Sequence, residues 1–285
     1  MNKPIWSCNE WDPLKEIIIG TAKDANIPSH DLSHHATNYA NLSPEEYAKM
    51  PKGRYPEHVY EEAEEDLEGM VGILEQFGVK VHRPDTSALD FTSKVSNGLW
   101  DSTQYEAYCP RDSVAVIGDT IIEGAMSLRA RYHETFMFNE LFKEKSMQGA
   151  KWLPMPKPML MDDLYKIQPG RDPSVNNNEP ILDPAKDKVP EIFKRWDKIW
   201  YTEEMCVGQP ALEDYAPASE WIGMNVLSID PEHVLVPDDE GPLMKAMEKH
   251  GISPIPVQMR HMRTLAGGPH CVSCDLVRDG KLESY

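Results

Sequence analysis

The sequence has no apolar run near the ~20 residues that cross a bilayer, and its first residues lack the apolar core and cleavage site of a signal peptide. Basic residues are also scarce, because 29 lysines and arginines face 47 aspartates and glutamates, for a formal net charge of −18. A surface of that sign repels nucleic-acid phosphates and anionic lipids and favours cationic small molecules. We therefore expect a cytoplasmic protein with neither a nucleic-acid nor a membrane partner.

Cysteine is infrequent, and the odd number of five in 285 residues argues against a disulfide framework. Cys271-x-x-Cys274 has no second ligand pair of similar spacing, which structural zinc requires. A thioredoxin-type site would open a helix, whereas residues 272–277 have the pattern of a strand. The sequence also lacks the glycine-rich loops of nucleotide-binding folds. We predict no metal and no cofactor.

A strand–turn–strand–helix–strand pattern recurs along the chain and predicts an α/β fold of ββαβ modules. The clearest copy has strands at 225–229, 234–236 and 252–257, with a helix from Pro242 to Lys249. A second copy has strands at 114–117, 120–123 and 151–154 and a helical stretch at about 129–147. In the first copy, a polar loop at 22–56 separates a strand at 14–19 from a helix at 61–77 and a strand at 79–82. The apolar stripe of that helix is Ala63, Leu67, Met70, Val71, Leu74 and Phe77.

A fourth copy is incomplete. It has a helix at 189–196 and a strand at 199–201, but its leading strands are missing and residues 169–190 have the proline- and asparagine-rich composition of a loop. We interpret residues 1–285 as a single domain that has lost most of one module near 169–190. The strand edges exposed by such a loss favour pairing with a second chain, so we expect either a more tightly closed ring or a homodimer that covers the gap.

The segment Gly267-Gly268-Pro269-His270-Cys271 is the strongest candidate for chemistry. Paired glycines let the backbone approach a ligand closely, and a neighbouring cation lowers the pKa of a thiol, whose thiolate is a nucleophile. The alternative is a buried strand carrying two packed cysteines.

Several motifs occur in the same order as in one known family. They include Asn9-Glu10-Trp11-Asp12-Pro13, Cys109-Pro110-Arg111-Asp112, Trp221-x-x-Met224-Asn225 and Gly267-Gly268-x-His270-Cys271-x-x-Cys274-Asp275. The sequence resembles the amidinotransferases, the glycine and inosamine-phosphate enzymes of the pentein superfamily. The likeness covers most of residues 9–168 and 189–285. It implies an α/β propeller of five ββαβ modules around a pseudo-fivefold axis, which agrees with the repeats.

The resemblance also implies a reaction. A cysteine attacks the guanidino carbon of arginine, ornithine leaves, and an amine such as glycine collects the amidino group from the cysteine. By motif position Cys271 is the nucleophile, Ser219 contacts arginine, and Asp101 is the candidate for gripping the guanidinium. Asp183 either orients the guanidinium, within Glu179-Pro180-Ile181-Leu182-Asp183, or ends a later strand, within Leu182-Asp183-Pro184; both alignments remain open.

The histidine motif that supplies the family's general acid/base is absent, because no histidine lies between His133 and His233. His270 is expected to be a poor substitute, since neighbours along a strand point to opposite faces. Two other functions therefore stay open. The chain is either a non-catalytic relative that binds arginine or a protein, or a deiminase that hydrolyses a guanidine to citrulline.

Overall fold

The computed structural model describes residues 3–169, 196–208 and 215–282, which form a mixed α/β fold. The strands are β1 (Leu14–Ile19), β2 (Asn26–Ile27), β3 (Gly53–Arg54), β4 (Lys80–His82), β5 (Lys94–Ser96), β6 (Asp101–Thr103), β7 (Val114–Ile117), β8 (Thr120–Glu123), β9 (Lys151–Pro154), β10 (Leu227–Ser228), β11 (His233–Pro237), β12 (Ser253–Val257) and β13 (Ser273–Arg278). The α-helices are α1 (Leu32–Asn38), α2 (Pro44–Tyr47), α3 (Glu57–Gln76), α4 (Pro110–Ser113), α5 (Asn139–Met147) and α6 (Gly241–Lys249). None of the helices in these ranges is long and apolar enough to span a membrane.

Three three-stranded sheets repeat one topology, in the orders β7-β8-β9, β10-β11-β12 and β13-β1-β4. In each sheet the first two strands are antiparallel and the last two are parallel. A tight turn suffices for an antiparallel pair, as at Gly118 with its φ of 59°, whereas a parallel pair needs a crossover. The crossovers contain α5, α6 and α3. This confirms the predicted ββαβ order in two copies, and in the first copy it confirms the predicted strand, helix and strand.

The first module takes its leading strand from the other end of the chain. Strand β13 pairs with β1 so that Ile18 lies opposite Cys274 and Ile19 opposite Ser273. The pairing continues one step further, where the N–H of Gly20 donates to the carbonyl of Val272 at 2.7 Å. The segment just before β13 is thereby fixed beside the end of β1.

The largest apolar cluster lies between α3 and the strands around it. Helix α3 buries Ala63, Leu67, Met70 and Leu74, as its periodicity predicts, but the predicted stripe member Phe77 is 41% exposed. Phe77 lies just beyond the last helical turn and packs its ring against His233. The helical period therefore no longer determines which way its side chain faces.

Two other predicted segments differ in the structure. The helical stretch at 129–147 is two 3-10 helices, Arg129–Arg131 and Glu134–Phe138, followed by α5. Buried Arg129 and Arg131 are held by long-range bonds, to the Leu160 carbonyl and to Asp112 respectively, which override a regular helix.

The predicted strand at 199–201 does not join a sheet. Ile199 and Tyr201 instead cover the apolar cluster at α6, and the Tyr201 hydroxyl donates to Glu240 at 2.8 Å. The polar loop predicted at 22–56 contains the short elements β2, α1, α2 and β3. Almost all of the predicted helix at 189–196 and of the predicted module junction at 169–190 lies outside the described residues.

Candidate active site

Cys271 lies in a turn that leads into β13 and is partly exposed. The turn is closed by the N–H of Val272, which donates to the Gly268 carbonyl, and by the N–H of Ser273, which donates to the His270 carbonyl. Cys271 is therefore only partly buried against the apolar core and is carried by a defined loop.

Asn225, which lies 46 residues before Cys271 in the chain, holds this loop by hydrogen bonds. Its Nδ2 donates to the Cys271 sulfur at 2.9 Å, while its Oδ1 accepts the N–H groups of His270 and Cys271 at 2.9 and 3.0 Å. One side chain thus fixes both the backbone of the turn and the position of the thiol. The sequence includes Asn225 in a family motif but predicts no function for it.

The paired glycines are required by close contacts between the loop and the residues that surround it. A Cβ atom at Gly267 would lie 2.4 Å from the Cys109 sulfur and 3.3 Å from Cys271 Cβ. A Cβ atom at Gly268 would lie 2.9 Å from Asn225 Cβ. Because real Cβ atoms do not approach other atoms so closely, a side chain at either position would push the loop away from its supports.

His270 faces a carboxylate and the nucleophile together. Its Nε2 lies 2.8 Å from Glu10 Oε2, and hydrogen bonds to the Cys271 side chain and to Glu10 raise the pKa of His270 to about 9. The same hydrogen bond is the main cause that lowers the pKa of Glu10 to about 2. The expectation that His270 points away from Cys271 is therefore wrong, because these residues form a turn and not a strand.

Arg111 forms hydrogen bonds with both Glu10 and His270. Its guanidinium donates to Glu10 at 3.0 Å, to the His270 carbonyl at 2.9 Å and to Asp275 at 2.8 Å. A rigid, planar fork of donors is suited to holding several acceptors in fixed positions. Glu10 is thereby oriented toward His270.

An acidic cavity of about 210 Å³ adjoins the loop and is lined by Tyr105, Glu106, Asp112 and Arg131. Cys109 and Ala266 also line it, and Gly267 separates these residues from Cys271. A small group in the cavity therefore lies next to the nucleophile loop.

Glu106 is 2% exposed, and within the described residues its Oε2 has no hydrogen-bond partner. Burial raises the pKa of Glu106 well above its usual range; Arg131 opposes the shift, and Glu134 and Asp112 add to it. A buried acceptor without a partner carries a desolvation cost that a donor ligand would relieve. No motif or spacing in the sequence pointed to Glu106.

The other predicted site residues lie apart from this arrangement. Ser219 is exposed and accepts the N–H of Trp221 as the cap of the 3-10 helix Glu220–Met224. Asp101 lies on β6, with a 56% exposed side chain 2.7 Å from Lys94. Within the described residues, neither forms a hydrogen bond or an ion pair with Cys271. Asp183 lies outside the described residues.

Cys274, the second cysteine of the Cys-x-x-Cys motif, lies in the core on β13. Its sulfur approaches the Val114 carbonyl at 3.5 Å, and burial raises the pKa of its thiol to about 12. Residues 3–169, 196–208 and 215–282 contain no group of three or more His, Cys, Asp or Glu side chains placed to hold a metal ion.

Comparison with known proteins places this arrangement in a family. The chain is 31% identical to inosamine-phosphate amidinotransferase 1 of Streptomyces glaucescens, with 97% of each protein covered. It is 29% identical to the mitochondrial glycine amidinotransferase of Xenopus tropicalis, covering 99% of this chain and 85% of that protein. The arginine deiminase family profile matches residues 176–278.

Solved structures agree with the sequence matches. The inosamine-phosphate amidinotransferase of Streptomyces griseus superposes with a TM-score of 0.87 at 29% identity, over 99% of both chains. An amidinotransferase of the saxitoxin biosynthetic pathway of Microseira wollei gives 0.83 at 26% identity. The chain belongs to the amidinotransferase family.

Proposed function

We propose that this protein transfers an amidino group from arginine to a small amine through a covalent amidino-Cys271, releasing ornithine. The observation that carries the proposal is the presentation of Cys271, whose sulfur accepts a hydrogen bond from Asn225 on a partly exposed loop beside an acidic cavity. A cysteine on an accessible loop with its sulfur held in place is suited to act as a nucleophile in covalent catalysis.

The acidic cavity is suited to the guanidinium of the donor. Within the described part of the chain Glu106 offers a carboxyl oxygen that has no hydrogen-bond partner, and Asp112, which is paired with Arg131, lines the same cavity. A planar cation with five N–H donors matches carboxylate acceptors in geometry and charge. Ser219, Asp101 and Asp183 remain candidate arginine contacts.

The reaction has two stages. In the first, the Cys271 sulfur bonds to the guanidino carbon and the bond from that carbon to the ornithine nitrogen breaks as the nitrogen gains a proton. In the second, an incoming amine bonds to the amidino carbon, loses a proton and displaces the sulfur. Covalent catalysis of this kind gives ping-pong kinetics.

The test is release of ornithine from arginine with a panel of amine acceptors, glycine first. We expect time-dependent ornithine and an amidinated acceptor, both lost in Cys271→Ser and both kept in the matched variant Cys274→Ser. Absence of ornithine and of any amidinated product with every acceptor would rule the proposal out.

Hydrolysis is the second candidate within the enzyme class, favoured by the match of the arginine deiminase profile to residues 176–278. Water would then take the place of the amine in the second stage. Citrulline formed without any acceptor, and unaffected by adding one, identifies this reaction.

Loss of activity is favoured by a different observation. The alignment with the Streptomyces glaucescens enzyme is 347 positions long although this chain has 285 residues, so at least 62 positions have no counterpart here. A non-catalytic relative would bind arginine in calorimetry without forming any adduct. We propose that the unmatched positions are the missing module, and that a homodimer covers the exposed edges. Light scattering showing a monomer at high concentration contradicts the dimer.

A further inference from the structure

His270 is held on three sides beside the proposed nucleophile. Its ring Nε2 faces Glu10 at 2.8 Å, its carbonyl accepts from Arg111, and its N–H donates to Asn225. The ring also interacts with the Cys271 side chain, and this interaction contributes to the raised pKa of His270. The side chain is 30% exposed, so the ring lies at the boundary between the loop and solvent.

We propose that His270, oriented by Glu10, is a further catalytic residue that gives the proton to the departing amine and takes it back from the incoming one. The inference rests on the proposed amidino transfer. It assigns the proton transfers to a residue that lies beside the nucleophile in sequence and in space.

The charges around His270 fit this role. Glu10 and the Cys271 side chain favour its protonated form, Arg111 opposes it, and Asp275 pairs with Arg111 at 2.8 Å. With a pKa of about 9, His270 is a cation at neutral pH and can donate a proton.

Each step balances with His270 as the proton carrier. As the Cys271 thiolate bonds to the guanidino carbon and the carbon–nitrogen bond breaks, the His270 imidazolium gives its proton to the ornithine nitrogen and becomes neutral. The acceptor amine then bonds to the amidino carbon, neutral His270 removes its proton, and the thiolate leaves. The enzyme returns to its starting state with no co-reactant consumed.

The other histidines are engaged elsewhere. All ten histidines lie in the described ranges, and none of the other nine forms a hydrogen bond with Cys271. His82 is bound to Glu16, His261 to Glu62, and His34 to Tyr47. His270 is therefore the histidine that the fold places at the nucleophile.

The test separates proton donation from support of the loop by changing the leaving group. Arginine expels an amine, which needs a proton, whereas S-methylisothiourea expels methanethiol, a far better leaving group. The rate of amidino-Cys271 formation is measured with each donor by quenched-flow intact mass. For His270→Asn we expect a loss of ~100- to 10,000-fold with arginine and less than about tenfold with S-methylisothiourea.

His261→Asn is the matched control, because it removes a carboxylate-bound histidine away from Cys271; both rates should be kept. Glu10→Gln should slow the arginine reaction less than His270→Asn and lower the His270 pKa, read by NMR titration independently of turnover.

Equal losses with both donors, or no loss with arginine, overturn the role of His270 while amidino transfer stands. If the wild type forms no adduct with either donor, the proposed function falls and this inference falls with it.

Discussion

The side chain of Asn225 spans the nucleophile loop, donating to the Cys271 sulfur at 2.9 Å and accepting the Cys271 N–H at 3.0 Å. Asn225 is the C-cap of the 3-10 helix Glu220–Met224 and lies 46 residues before Cys271 in the chain. The loop that carries the thiol is therefore held to a distant element by one side-chain amide. Its Nδ2 contacts the sulfur and its Oδ1 holds the backbone, so substitutions can test the two contacts separately.

Asn225→Asp keeps the acceptor but replaces the donor by a negative charge beside the sulfur, which disfavours a thiolate. We expect alkylation of Cys271 by iodoacetamide to slow by about tenfold or more, with little change in melting temperature. Asn225→Ala also leaves the two N–H groups without an acceptor, so it should lower the free energy of unfolding by ~1–3 kcal/mol. Equal alkylation rates in Asn225→Asp and wild type would contradict the contact.

Gly267→Ala should distort the loop, because its Cβ would lie 2.4 Å from the Cys109 sulfur. We expect a loss of ~1–3 kcal/mol in the free energy of unfolding, as for other overpacked sites. Cys109→Ala, which removes the clashing sulfur, should restore part of that loss in the double variant. Denaturant unfolding of all three variants measures the coupling.

The matched control is Gly72→Ala in α3, where a Cβ meets nothing within 4 Å. It should stabilise the protein by up to ~1 kcal/mol, since alanine is the better helix former. Purely additive effects of Gly267→Ala and Cys109→Ala would mean that the two sites are not in contact.

Glu106 and Asp101 are alternative candidates for binding the guanidinium of arginine, and a binding experiment distinguishes them. In a Cys271→Ser background, Glu106→Gln should weaken methylguanidinium binding at least about tenfold in calorimetry, because it removes a charge-assisted hydrogen bond. The exposed Asp101 is already paired with Lys94, so Asp101→Asn should change affinity less than about twofold. The opposite ranking would favour the sequence-based assignment of Asp101 over the cavity.

Glu106 also predicts a proton release. Burial raises the pKa of Glu106 well above its usual range, which favours the protonated acid, whereas a bound cation favours the carboxylate. Binding of methylguanidinium should therefore release a proton, seen as a buffer-dependent binding enthalpy that disappears in Glu106→Gln. A buffer-independent enthalpy in the parent protein would show that Glu106 does not change its protonation.

The pH dependence of stability follows from the Glu10–His270 pair. Glu10 has its pKa lowered from 4.5 to about 2, so its contribution is present above 4.5 and lost as pH falls through 2. His270 has its pKa raised from 6.5 to about 9, so its contribution is present below 6.5 and lost as pH rises through 9. The difference in unfolding free energy between wild type and His270→Asn should be greatest between pH 4.5 and 6.5 and fall as the pH rises from 6.5 to 9. A pH-independent difference would contradict the pairing.

The modules could be predicted from local sequence patterns because their hairpins depend on residues that are close together in the chain. Strands β7, β8 and β9 occur at the predicted bounds, since a Gly118-Asp119 turn and a run of apolar residues define the hairpin without distant help. The leading strand of the first module was assigned to no module, because β13 joins β1 across almost the whole chain.

The site was only partly predictable for the same reason. Cys271 carries a motif, but the direction of His270 depends on Asn225 and Glu10, both far away in sequence. Glu106 had no local signal, because an acidic residue in an irregular segment is usually exposed. Its burial is set by the packing of several elements around the cavity.

The central claim is that Cys271 takes the amidino group, and peptide mass spectrometry tests it most directly. Protein mixed with arginine labelled with ¹³C at the guanidino carbon is acid-quenched before any acceptor is added, then digested. We predict one labelled amidino group on the peptide containing Cys271 and none on peptides containing Cys8, Cys109 or Cys206. A label on another cysteine, or ornithine release with no labelled peptide, would contradict the account.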